Sequence, residues 1–249
     1  MNTPADDLTD PQNVLRALLN DDRAVRDAFA RALEAELNEL ADALATCFEH
    51  WHPIRQAVAA RAEPRTDLVN GFVHGVLDDI VVSTKLLLAG KAAASGNIAR
   101  QAIEGLAMAV LSSADQEVIL QAREKQGDVR GRYWERVMDP TDRLVEGQRA
   151  VQQLAWNADQ LRLPRPWIDR LSDAQKLFSA ASHAGPLTIA YRTHLGLADA
   201  VSIGGHYDAG KLASYRTGLT LRTFMARDLA SVMPFLLAAL GPGEVAAGW

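Results

Sequence analysis

Apolar residues recur along most of this chain at spacings of three and four. Val25, Phe29, Leu33, Leu37, Leu40, Leu44, Phe48 and Trp51 fall on one stripe of a long amphipathic helix, and Pro53 is expected to kink or end it. The same periodicity predicts helices over about 11–20, 22–62, 66–93, 97–125, 128–137, 140–161, 167–181 and 209–240. Asp10-Pro11 and Asp139-Pro140 each place an N-cap acceptor before a first-turn proline and so mark helix starts, and Asp208 is placed to cap the final helix. No segment alternates with period two for long enough to suggest a strand.

These patterns predict an all-α, up-and-down bundle of about seven to eight helices. Residues 66–125 form its central antiparallel hairpin, because "AGKAAASGN" supplies a small-residue turn between two apolar helices. One helical domain spans 1–249, with tails at about 1–10 and 241–249. No solenoid repeat and no heptad run is present.

The most apolar of these helices, "GNIARQAIEGLAMAVLSSA" at 96–114, carries Arg100 and Glu104 one turn apart. Ile98, Ala99, Ala102, Ile103, Leu106, Ala107, Val110 and Leu111 occupy most of its circumference, so the pair is expected to be partly buried. Such a pair is costly to desolvate and need not stabilise the fold. It reads either as an internal brace or as part of a site.

Composition narrows the chemistry. The 249 residues are 48% hydrophobic with a formal charge of −5, which fits a globular protein and lacks the basic excess of a general nucleic-acid binder. The single cysteine, Cys47, cannot build a disulfide framework or a multi-thiolate zinc site and reads as core. The acidic amino terminus lacks a secretory pattern, charge interrupts the longest apolar runs, and the last, around "VMPFLLAAL", is too short to span a bilayer, so the expectation is a cytoplasmic protein without a membrane-spanning helix.

Three of the six histidines, His183, His194 and His206, sit in residues 179–208, where helix gives way to an irregular segment. Their spacing matches no compact zinc motif, and neither a metal nor a cofactor is expected. Long irregular connections in compact folds are often binding or lid segments. A small-molecule pocket under 182–208, lined by apolar helix faces with Ser182, Tyr191, His206 and Tyr207, is therefore one candidate. His74 and Asp78, followed by Asp79, have the i,i+4 geometry of a tuned base but more commonly mark a solvated helix face. Lys211, Arg216, Arg222 and Arg227 on the last helix read as its solvent side, or as a basic edge for phosphates. Walker, dinucleotide, HExxH, GxSxG and EF-hand motifs are absent.

"SGNIARQAIEGLAMAVL" followed later by "FSAASHAG" resembles a group of bacterial helical proteins related to the HEPN superfamily, in which an R-x-x-x-E helix precedes a later Ser-His. The matching residues are Arg100, Glu104, Ser182 and His183, within about 66–240. The resemblance implies a helical bundle, a homodimer, and a place in bacterial antiphage defence or toxin–antitoxin modules with a protein partner. The superfamily's ribonucleases carry Arg four to six residues before His, and no histidine of this chain has one there. A rearranged phosphodiester- or nucleotide-processing site, acting on RNA or a nucleotide, would instead use Arg100, Glu104, His183 and Arg192. Three readings follow: a HEPN-like defence protein without the usual ribonuclease activity, an enzyme with that rearranged site, and a small-molecule-binding bundle.

Overall fold

The turn at Ala89–Lys91 organises the chain. It joins α4 (Pro64–Leu88) to α5 (Ala92–Ser113), the antiparallel hairpin that the small-residue run predicts. The fold is a computed structural model that describes residues 7–182, 184–193 and 204–241, with backbone alone at 181 and 182. It is an all-α bundle carrying one small sheet.

Around the hairpin lie α1 (Pro11–Leu19), α2 (Arg23–Ala32), α3 (Glu34–Ala60), α6 (Tyr133–Val137), α7 (Gly147–Asn157), α8 (Arg165–Ser182), α9 (Pro186–Arg192) and α10 (Leu212–Ala239). α10 runs beside α3 in the same direction. Arg216 pairs with Glu36 at 3.0 Å, the Cys47 thiol donates to the Ala226 carbonyl at 2.9 Å, and Arg61 Nη1 donates to the Leu240 carbonyl at 3.1 Å. Cys47 is fully buried, as expected, and burial pushes its thiol up to about 12, which suits a packing residue.

Several boundaries differ from the sequence reading. The helix expected over 22–62 breaks at the buried Leu33, whose φ of −125° turns α2 away from α3. Phe48 leaves the apolar stripe and is exposed. α3 runs through Pro53 to Ala60: Pro53 removes a helical donor, but the buried Ile54 and a bond from Trp51 Nε1 to Asn70 Oδ1 at 2.9 Å hold this stretch against the core. Asp10 caps α1, as its motif predicts.

The helix expected over 97–125 ends at Ser113, and the one expected over 128–137 begins only at Tyr133. Between them lies an unforeseen antiparallel hairpin of β1 (Val118–Gln121) and β2 (Val129–Gly131). The partners come from far along the chain. Asn157 Oδ1 accepts from the Ile119 amide at 2.8 Å and its Nδ2 donates to the Ile119 carbonyl at 2.9 Å. Gln153 Nε2 donates to the Leu120 carbonyl at 2.9 Å. Side chains of α7 thus satisfy β1 where a third strand would, and a short β-branched run becomes a strand through tertiary context.

Asp139-Pro140 starts no helix. The Asp139 carboxylate accepts from the Thr141 amide and hydroxyl, closing a local turn of the kind Asp favours. Asp142, paired with Arg136 and held below the usual carboxylate range by it, then caps a 3-10 turn at Arg143–Val145.

The segment from Gly204 to Asp208 lies against the central turn. Gly90 has φ +75°, and a Cβ there would stand 2.5 Å from the His206 amide nitrogen; a Cβ on Gly205 would stand 1.6 Å from the Ala89 carbonyl oxygen. Asp208 accepts from the Gly210 amide at 2.9 Å and caps the 3-10 turn Ala209–Lys211 that leads into α10, where the sequence places it as the cap of the helix itself. Gly90→Ala is expected to lower stability by about 2 kcal/mol or more, from left-handed strain and from contact with His206. A urea melt checks this, and Gly71→Ala, with nothing within 4 Å of its Cβ, is the control.

Candidate functional site

α5, α8 and α10 converge beneath α9 on a cavity of about 170 Å³. Its rim is formed by Leu177, Leu187, Ser214 and Thr217, and Tyr191, Phe178 and Tyr215 line its sides. Arg222 reaches it from α10 and is only 1% exposed.

Arg222 belongs to the inner stripe of α10. Tyr215, Leu219, Arg222, Ala226, Leu229, Met233 and Leu236 recur at alternating spacings of four and three, and all are buried, so the guanidinium occupies a core position. Its Nε donates to Ser83 Oγ at 3.0 Å, Nη1 to the Gly218 carbonyl at 2.7 Å, and Nη2 to Ser95 Oγ at 2.5 Å and to the Ser95 carbonyl at 3.2 Å. Ser95 Oγ in turn donates to the Ser83 carbonyl at 2.6 Å. The Phe178 ring lies 5.5 Å from the guanidinium carbon, within cation–π range.

Every one of these acceptors is neutral. Among the described residues no carboxylate lies within ion-pair distance of Arg222, and four bonds leave one of its five N–H groups, on Nη1, without an acceptor. Burial pulls the guanidinium down to about 10, so it remains charged at neutral pH. Removing a cation from water costs several kcal/mol, and hydrogen bonds to a charged group return about 1.5–3 kcal/mol each. The neutral bonds can therefore hold the cation in place, but no described residue supplies a counter-charge.

Lys211 fastens the roof. It is 6% exposed, and its Nζ donates to the Tyr191 carbonyl at 3.2 Å, to the Thr193 carbonyl and to His206 Nε2 at 3.0 Å. An ammonium on the last carbonyls of α9 both satisfies them and opposes the negative end of the helix. Burial lowers the Lys211 pKa, with Asp208 acting against the shift.

The residues picked out in the sequence divide. Tyr191 lines the cavity, and His206 is buried behind it on Lys211. Tyr207 turns away, its ring edge-on to Phe29 with centroids 4.8 Å apart. Arg192 is exposed. His183 and the side chain of Ser182 lie outside the described residues, as do His194 and residues 1–6 and 242–249. The segment expected to be irregular holds α9, begun by Gly185-Pro186 with the Gly185 amide donating to Thr188 Oγ1 at 3.0 Å. On the last helix, Arg216 and Arg227 do lie outward, paired with Glu36 and Glu39, but Lys211 and Arg222 are buried. Arg222 was legible as a charge on the apolar stripe. His74 and Asp78 are exposed; beside them, burial and the neighbouring Asp78 push Asp79 up to about 6. Among the described residues no group of His, Cys, Asp or Glu could hold a metal ion, and no helix is long and apolar enough to cross a membrane.

Arg100 and Glu104 lie one and two turns beyond Gly96 on the same face of α5. Arg100 Nε donates to Glu104 Oε1 at 2.8 Å, with side chains 19% and 16% exposed. Gln175 Nε2 of α8 donates to the same oxygen at 3.2 Å. A Cβ on Gly147, at the start of α7, would stand 3.2 Å from Glu104 Oε2, so the carboxylate also faces the positive end of that helix. The pair connects α5, α7 and α8, which is the work of a brace. Among the described residues no hydrogen bond or ion pair joins it to Arg192. Comparison of the chain with protein-family models, curated proteins and solved structures finds no match.

Glu104→Ala is expected to lower stability by about 1–3 kcal/mol, because it leaves a partly buried guanidinium without its carboxylate. The double variant Arg100→Met/Glu104→Leu should recover much of that loss, as measured by chemical denaturation.

Proposed function

We propose that this protein is a small-molecule-binding helical bundle whose ligand enters beneath α9. One observation carries the reading: a cavity of about 170 Å³ whose apolar and aromatic walls come from α5, α8, α9 and α10 and converge on a buried polar group. Pockets of this composition, with few polar groups among hydrophobic walls, are where small ligands bind. The roof is a seven-residue helix, α9, held at its end by Lys211, and with Leu87 of α4 a ligand's size is limited by five elements of the chain.

The HEPN-like reading, a bacterial defence or toxin–antitoxin protein without the usual ribonuclease activity, remains a second proposal. It draws on the Arg100 and Glu104 pattern and on the helical architecture. A homodimer, a protein partner from such a module and a cytoplasmic location belong to the same proposal. A phosphodiester- or nucleotide-processing site at Arg100, Glu104, His183 and Arg192 has less support, since Glu104 is engaged by Arg100 and Gln175 and Arg192 lies exposed.

Methyl NMR of the full chain titrated with indole, a neutral aromatic probe, tests the pocket. Saturable shifts are expected at Leu87, Leu177, Leu187 and Leu221, with Leu40 and Leu154 unmoved. Shifts scattered over the surface, or none at millimolar indole, would contradict the reading.

A further inference from the structure

We infer that the ligand of this cavity is a small organic carboxylate with an apolar body, its charge set against Arg222 and its body between Phe178, Tyr191 and Tyr215. The inference rests on the pocket reading above and adds the chemical class.

Charge comes first. Arg222 is 1% exposed, lines the cavity, and among the described residues has neutral oxygens alone as acceptors, with one N–H left unused. An anion supplies the missing counter-charge and an acceptor together, and charge-assisted bonds of this kind are the strong ones. Ala92, Ser95 and Gly96 lie in the first two turns of α5, and Ser214 and Tyr215 in the first turn of α10. The positive ends of both helices thus border the same space.

The amount of positive charge points to a monoanion. Arg222 is the only cationic side chain among the described residues lining the cavity. Lys211, the other buried cation nearby, already donates to three acceptors. A phosphate dianion would bring more negative charge than one guanidinium balances, whereas a carboxylate matches it.

Size and shape set the body. A cavity of about 150 Å³ accepts a benzene ring, and this one, at about 170 Å³, has room for one ring or a short chain beside the acid. Leu87, Leu187 and Leu221 supply the aliphatic wall, and the rim is formed by side chains that are themselves exposed.

Isothermal titration of the full chain at pH 7 compares phenylacetate with 2-phenylethanol, hexanoate with hexanol, and phenylacetate with phenyl phosphate. Each acid is expected to bind one to one, at least about tenfold tighter than its alcohol, and phenylacetate tighter than phenyl phosphate. Thr217→Trp, an exposed rim change whose side chain takes no part in the Arg222 bonds, should abolish binding without lowering the Tm. Arg222→Met should bring acid and alcohol to the same affinity; if that variant does not fold, the wild-type ratios and Thr217→Trp still decide. Equal affinity for acid and alcohol overturns the carboxylate class and leaves the pocket standing, as does failure of the acids where indole binds. Tighter binding of phenyl phosphate overturns the monoanion. Failure of indole and of every acid overturns the pocket itself.

Discussion

One buried cation needs three helices at once. Arg222 sits on the apolar stripe of α10 and finds its acceptors on Ser83 of α4, Ser95 of α5 and its own helix at Gly218. Leaving a guanidinium in the core without these oxygens would cost more than a typical domain can spare, so the α4–α5 hairpin and α10 are held to one register. Ser95 strengthens the constraint by also donating to the Ser83 carbonyl. The same place in the bundle is where α8 presents Phe178 and α9 lies across the top. The residue under the strongest structural demand is therefore also one that lines the cavity.

The two polar features of α5 carry different duties. Ser95, near its start, belongs to the Arg222 network and the cavity wall. Arg100 and Glu104, one to two turns on, hold α7 and α8 in place through Gln175 and the start of α7. The ion pair in the most apolar helix is thus a joint where three helices meet, and its two acceptor bonds at Glu104 explain why it tolerates partial burial.

Much of the architecture was readable from periodicity. Helical class, the α4–α5 turn, the Asp10 cap, the Asp208 lead into α10 and the burial of Cys47 all follow from local rules. The failures have different causes. Val118 to Gln121 becomes a strand because the distant Asn157 and Gln153 satisfy its backbone, whereas Asp139-Pro140 becomes a turn locally, its carboxylate accepting from Thr141. Tyr191 lines the cavity beneath α9, whereas Tyr207 packs edge-on against Phe29. Arg222 lies on the buried face with Tyr215, Leu219, Ala226 and Leu229, not on the solvent side expected for the basic residues of this helix. A charge at an apolar stripe position was the signal, and its meaning depended on Ser83 and Ser95, more than a hundred residues away.

Arg222 is a charged group locked in the core at the wall of the cavity. Side-chain 15N NMR of the arginine guanidinium groups, with hydrogen exchange followed at pH 7, tests it most directly. The account predicts one Nε–H that exchanges far more slowly than all others, assigned by its loss in Arg222→Lys, whose Nη signals shift when phenylacetate is added. An Arg222 Nε–H that exchanges as fast as those of the exposed Arg23 and Arg192 would contradict it.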